Sequence, residues 1–326
     1  MNLSILDLVF INEGHSVKDA FDQSLLVAQK AESFGYKRIW LAEHHNSSSI
    51  ASAATSLCIS HIAHGTKTIR VGAGGIMLPN HSPLVIAEQF GTLETLYPGR
   101  IDLGLGRAPG TDQQTVRALR ADPSAAQNFP DDVLELQRYF SKEAHKDPIV
   151  ATPGAGLEVP LWVLGSSTFG AQLSAKYGLP YAFASHFAPD ALFEALKTYH
   201  QNFVPSKQQN KPYVTLGVNV IIADTQQEAD YLSTSLKQAF THLVRGTKGK
   251  LFSKPISDIE SYWSPQEKMA ASHMMTYSFI GTKESVAQKL KHFVELTQAD
   301  ELMVVTPIYD IDKRIESLRQ LGEIGF

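Results

Sequence analysis

Short apolar runs alternate with helical stretches along this chain, and no two runs are joined by the Asn-Gly type of turn that closes a hairpin. Strand after helix after strand argues for a parallel sheet. Eight strands are expected: Ser4 to Phe10, Arg38 to Leu41, Ile69 to Ala73, Ile101 to Leu105, Leu161 to Leu164, Tyr181 to Ala184, Tyr213 to Ile222 and Glu301 to Val305. Val17 to Phe34 and Ile50 to His64 read as helices. Pro83 sits near the start of the next one, where its missing N–H is harmless, and Pro98-Gly99 breaks the chain after it. At about 40 residues per unit, residues 1–326 suit a single α/β domain, a (β/α)8 TIM barrel with insertions on its C-terminal rim. A doubly wound open sheet would give a similar pattern, and composition does not separate the two.

Two connections exceed what a barrel needs. Between Leu105 and Leu161 lie helical candidates at Asp112 to Arg120 and Asp131 to Phe140. Between strands seven and eight come helices Gln226 to Val244 and Lys283 to Leu296, separated by an irregular stretch from Arg245 to Ser272. Only the helix before the last strand is needed to cross back. The earlier part is expected as an excursion over the C-terminal rim, a mobile lid with few apolar anchors or a surface insertion without function.

Composition closes off several function classes. With 43% hydrophobic and 19% charged residues, the chain has ample core and no disordered character. A net charge of −4, and no basic run interleaved with aromatics, argue against a nucleic-acid partner. The N-terminus, interrupted by Asp7 and lacking a positive flank, reads as a strand rather than a signal peptide. No stretch reaches the roughly 18 apolar residues of a membrane span. Cys58 is the single cysteine, which excludes an internal disulfide and fits a cytoplasmic location; its helical neighbours suggest a buried, inert thiol.

Residues with chemistry cluster after the strands, where a barrel enzyme keeps its site. Glu43-His44-His45 follows strand two. Adjacent side chains on an extended segment point oppositely, so a metal site is not expected there; catalysis and a purely structural role both remain. Gly72-Ala73-Gly74-Gly75 ends strand three, where glycine allows a tight turn or a close approach. Gly104-Leu105-Gly106-Arg107-Ala108-Pro109-Gly110 invites a dinucleotide reading, but its third glycine is one position late and Pro109 stands where the helix should start. What remains is Arg107, whose planar fork suits a phosphate or a surface salt bridge. Asp112 stands near a helix start and is a candidate cap. Gly165-Ser166-Ser167-Thr168 opens the helix after strand five, a place for N-capping, for an anion, or for both. With Arg107 it makes a cradle for one phosphate. His186, after strand six, lines either the pocket or a packed rim.

Trp40 to Gly110 closely resembles the luciferase-like flavin monooxygenases, and Gly74 to His81 matches a subgroup of them with Gly-Gly-x-Met-Leu-Pro-Asn-His. The resemblance implies FMN as cofactor, reduced by a separate flavin reductase and used with dioxygen on a small organic molecule, and a homodimer. It gives His44 the catalytic position near the flavin and Asp112 the carboxylate that orients it. It implies a cis peptide between Gly74 and Gly75 against the flavin ring, and it places Arg107 on the flavin phosphate. The family's reactive cysteine is Gly106 here, so no thiol chemistry carries over. Two alternatives stay open: a deazaflavin-dependent hydride-transfer enzyme and a non-catalytic flavin-binding protein.

Overall fold

Parallel pairing runs without a break around a ring of eight strands in the computed structural model, which describes residues 1–108, 111–122 and 124–326. The strands are β1 (Asn2–Asp7), β2 (Arg38–Leu41), β3 (Arg70–Met77), β4 (Ile101–Gly106), β5 (Leu161–Gly165), β6 (Tyr181–Phe183), β7 (Val214–Ile222) and β9 (Glu301–Val305). Each pairs with the next, β7 pairs with β9, and β9 returns to β1 at Asn2↔Glu301, which closes the barrel and decides against the open sheet. Pro109 and Gly110, the end of the run rejected as a dinucleotide fingerprint, lie outside the described residues.

Alternation along the strands sorts side chains into two compartments. Ile39 and Leu41 belong to the main apolar core of strands and surrounding helices, whereas Trp40 between them joins Leu6, Trp162 and Met303 in a separate cluster that fills the barrel. Both faces are dry, which is why the strands read as continuous apolar runs rather than as polar and apolar in turn. Below the tryptophans, the strand starts carry a buried ionic layer. Arg38 donates to Asp102 at 2.6 Å and to Glu301 at 2.8 Å, and Trp40 Nε1 donates to Asp102 at 3.2 Å. Ser4 also bonds Glu301.

The structure corrects the expected elements in four places. The first strand stops at Asp7, because its buried carboxylate turns the chain by accepting from Val9 N–H (3.0 Å), Ser24 (2.6 Å) and Arg314 (3.1 Å). The helix expected from Ile50 begins at Thr55, and Ile50 instead makes a bridge with Phe10. A ninth strand, β8 (Ser278–Gly281), pairs with the end of β7. The excursion has its expected helical start, but the stretch after Arg245 has more apolar anchors than expected. It holds α8 (Gln226–Leu232), α9 (Thr234–Arg245) and α10 (Pro265–Met274), and Phe252 is buried with its ring stacked on Phe10 at 4.4 Å. Trp263 packs with Leu236, Phe240 and Ala271 in a small core, and Arg245 grips Glu267 with two hydrogen bonds.

Candidate functional site

A cavity of about 1100 Å³, counted to its open mouth, occupies the C-terminal end of the barrel. Every barrel strand contributes: Leu6, Trp40, Gly74, Gly75, Met77, Gly106, Leu164, Gly165, Ala182, Phe183, Gly217 and Met303, with Phe169 and Phe187 from the rim. The polar side chains on its lining are His44, Arg107, Ser166, Ser167 and His186.

One wall is bare backbone. The Gly74–Gly75 peptide is cis, as the resemblance implied, and the β3–β4 register shifts between Ala73 and Ile76. Neither glycine has room for a side chain. A Cβ at Gly75 would lie 2.6 Å from the Gly104 carbonyl oxygen, and one at Gly74 would lie 2.8 Å from Leu6 and 3.0 Å from Trp40.

The two histidines separate as an extended segment requires. His44 lines the cavity. His45 turns away and meets Glu43 at 2.7 Å. The Glu43 carboxylate, 1% exposed, also accepts from Met77 N–H (3.0 Å) and contacts His81 Nε2 at 2.9 Å. Burial pushes this carboxyl up, but the His81 contact and the Met77 N–H together hold it below the ordinary glutamate value. Glu43 thus joins β2 to the end of β3 immediately behind the cis peptide. Its partner His81 could not be found from spacing, since 38 residues separate them. Donor atoms of Glu43, His45 and His81 lie within 4.8 Å of one another, a distance that would admit a cation, yet the carboxylate is already shared between two imidazoles and a peptide N–H.

Across the mouth, the Arg107 guanidinium lies 3.9 Å from the centre of the Phe169 ring, which brings the end of β4 to the start of α6 (Thr168–Tyr177). Ser167 occupies the N-cap of α6 but makes no side-chain capping bond, so the first-turn N–H groups are not taken by it. Its carbonyl accepts from the Tyr181 hydroxyl at 3.0 Å. Gly165, Ser166 and Ser167 line the cavity, and Thr168 is the first helical residue behind them.

Asp112 does act as a cap. It precedes α4 (Gln113–Ala118), accepts from Thr115 N–H at 3.0 Å and from Asn46 at 3.0 Å, and pairs with Lys248 at 3.0 Å. The Thr115 N–H, then Lys248 and Asn46, hold its carboxyl well below the usual range. It therefore ties the His44–Asn46 loop to the excursion and does not itself line the cavity. Cys58 is buried, and burial pushes its thiol up to about 11, consistent with an inert residue.

A family model described as luciferase-like monooxygenase matches residues 1–300. A protein of Escherichia coli strain K12 called luciferase-like monooxygenase is 51% identical over 315 residues, 96% of this chain and 94% of that one. Among solved structures, apo-MsnO8 superposes with a TM-score of 0.87 at 32% identity, covering 99% of this chain and 98% of that one. The oxygenating constituent of 3,6-diketocamphane monooxygenase from Pseudomonas putida, a type II Baeyer–Villiger monooxygenase in complex with FMN, shares the fold with a TM-score of 0.72 at 16% identity, covering 99% and 97%. No helix among the described residues is long and apolar enough to cross a membrane.

Proposed function

Because this chain belongs to the luciferase-like monooxygenase family, we propose that it is an oxygenase that uses reduced FMN and dioxygen on a small organic substrate, with the reduced flavin delivered by a separate reductase. The observation that carries the reading is the pairing of Arg107 with an N-terminus of α6 that its own cap residue leaves open, across a cavity walled by Gly74 and Gly75. A planar cation and free N–H groups at the positive end of a helix suit one phosphate. Side-chain-free backbone on the neighbouring wall suits a flat ring. The residues present therefore fit FMN: Arg107, Gly165, Ser166, Ser167 and Thr168 would hold the phosphate, and Gly74 and Gly75 would face the ring. Bound in its reduced form, the flavin supplies the two electrons that activate dioxygen.

The chain's own contribution is positioning, dryness and a proton. Leu6, Trp40, Phe169, Phe183 and Met303 keep water from the reacting end. His44, on the cavity wall, is the proton donor, and Asp112 steadies its loop by accepting from Asn46. The described residues form one barrel, and the Gly104 to Gly110 run lacks the spacing of a dinucleotide fingerprint, which supports delivery of reduced flavin from elsewhere. We take the active form to be a cytoplasmic homodimer.

FMN titration followed by flavin fluorescence tests the site. Arg107→Ala should weaken binding by about 1.5 to 3 kcal/mol, as for a hydrogen bond to a charged group, and Arg107→Lys should recover only part of the loss. Unchanged affinity removes Arg107 from the phosphate. Protein mixed with FMN and NADH or NADPH in air should leave the nicotinamide absorbance steady until a flavin reductase is added. A deazaflavin bound more tightly than FMN would overturn the cofactor assignment.

A further inference from the structure

The cavity wall holds a second imidazole for which the proposed reaction has no use. His186 follows β6, and Asn219 on β7 fixes it by donating from Nδ2 to the His186 carbonyl at 2.6 Å. The preceding residue is fixed to the same strand, since the Ser185 hydroxyl donates to the Gly217 carbonyl at 2.6 Å. The ring meets Gly217 edge-on, with Nδ1 foremost. A Cβ there would collide with Nδ1 and would stand 3.1 Å from Cε1 and 3.3 Å from Cγ, so only glycine at 217 leaves space for it. Phe187 closes one side edge-on at 4.9 Å.

This seating distinguishes the two ring nitrogens. Nδ1 is buried and hydrogen-bonds to nothing among the described residues. A proton on Nδ1 would bury a donor with no acceptor, whereas a bare Nδ1 buries only a lone pair, the commoner kind of orphan. The proton therefore belongs on Nε2, the ring nitrogen that does not abut Gly217 and is not among the buried, unpartnered atoms, on a residue that lines the cavity. Burial, with a smaller effect from nearby His44, pushes this imidazole down to about 4, so it is neutral at ordinary pH. Arg107 is the only Lys or Arg among the described lining residues. Once it holds a phosphate, no fixed cation is left for a second anion.

We propose that His186 is the residue that reads the ligand: its Nε2–H donates one hydrogen bond to a carbonyl oxygen of an uncharged group in the cavity. The oxygen comes either from the substrate, which is then a neutral ketone, ester or amide with an otherwise apolar frame, or from the flavin ring itself. The charge argument rests on the FMN reading above; the donor assignment does not.

Protein labelled with 15N-histidine tests this by long-range proton–nitrogen correlation, with His186 identified by the signal missing in His186→Phe, or in His186→Gln should the first variant not fold. Without ligand at pH 6, the ring should be neutral with its proton on Nε2. A proton on Nδ1, or an imidazolium, overturns the proposal whether or not FMN binds. Added FMN, and then cyclohexanone against methylenecyclohexane as a probe lacking the oxygen, locate the acceptor. A hydrogen-bond shift at Nε2 on adding FMN assigns it to the flavin, and one that appears only with cyclohexanone assigns it to the substrate. His186→Phe should then weaken that ligand by about three- to tenfold, the worth of one neutral hydrogen bond, and leave methylenecyclohexane unchanged. No Nε2 shift with either oxygen-bearing ligand refutes the idea. If FMN fails to bind while cyclohexanone still shifts Nε2, the flavin reading falls and the donor stands.

Discussion

Asp102→Ala should be among the most damaging single changes available below the cavity. Asp102 is 1% exposed and satisfies three neighbours: Arg38 at 2.6 Å, Trp40 Nε1 at 3.2 Å and Arg70 at 2.6 and 3.0 Å. Arg70 is 26% exposed and regains water when the carboxylate goes, so little of its bond is lost. Arg38, at 4% exposure, does not; it keeps only Glu301 and carries half of its fork unpaired inside the barrel. Removing one partner of a buried pair destabilises by about 3–5 kcal/mol, mostly the penalty on the stranded charge. With an unfolding entropy of about 2.1 cal/mol/K per residue, 326 residues give about 0.7 kcal/mol/K, so the midpoint should fall by about 4–7 °C. Calorimetry with urea unfolding as a check on the m-value is the assay. A drop below about 1 kcal/mol with unchanged m would refute the claim that the layer is dry. Replacing Arg38, Asp102 and Glu301 together by apolar residues should recover much of the loss, because no charge is then stranded.

Gly75→Ala should displace β3 from β4, since the new methyl meets only backbone at Gly104 and Leu105, and the fold cannot yield there as a flexible side chain would. We expect a loss of about 1–3 kcal/mol, the usual range for overpacking, and FMN affinity lowered with it, measured by the same fluorescence titration. Glu32 gives a pH signature. It accepts from the N–H groups of Lys67 (2.8 Å), Thr68 and Ile69 (2.9 Å); these bonds outweigh burial, and its carboxyl falls to about 2. Its folded value lies below its unfolded one, so its stabilisation is complete above about pH 4.5 and disappears as pH falls towards 2. Glu32→Gln should therefore be less stable at pH 7 and lose stability less steeply between those limits, as followed by urea midpoints.

What the sequence displayed was governed by how much of each feature is local. The barrel strands are dry on both faces, so runs such as Ile39-Trp40-Leu41 announced themselves. Ser278–Gly281 carries no strand signal of its own, because its burial is only partial and a four-residue strand paired on the end of β7 needs no long apolar run. Leu251-Phe252 and Tyr262-Trp263 are isolated pairs with polar residues on either side, and nothing nearby signals that Phe10 and Leu236 will cover Phe252 and Trp263. In the site, Arg107 and the Ser166–Thr168 cluster each follow a strand, so barrel closure alone brought them together. The Glu43–His81 contact joins residues 38 apart on two different strand ends, and the seating of His186 depends on a glycine two strand positions before Asn219. Neither is a pattern within one segment.

The filled interior has a kinetic consequence. Trp40 and Trp162 meet edge to face at 5.1 Å, and Arg38 of the ionic layer lies 4.7 Å from the Trp162 ring above it, so the lower barrel is solid. On the FMN reading, flavin and substrate then share the open end of the cavity, and whichever settles deeper has to arrive first and leave last. Rates measured with the pair should follow a compulsory sequence, with an excess of the later arrival slowing release of the earlier one, as in a corridor with a single exit.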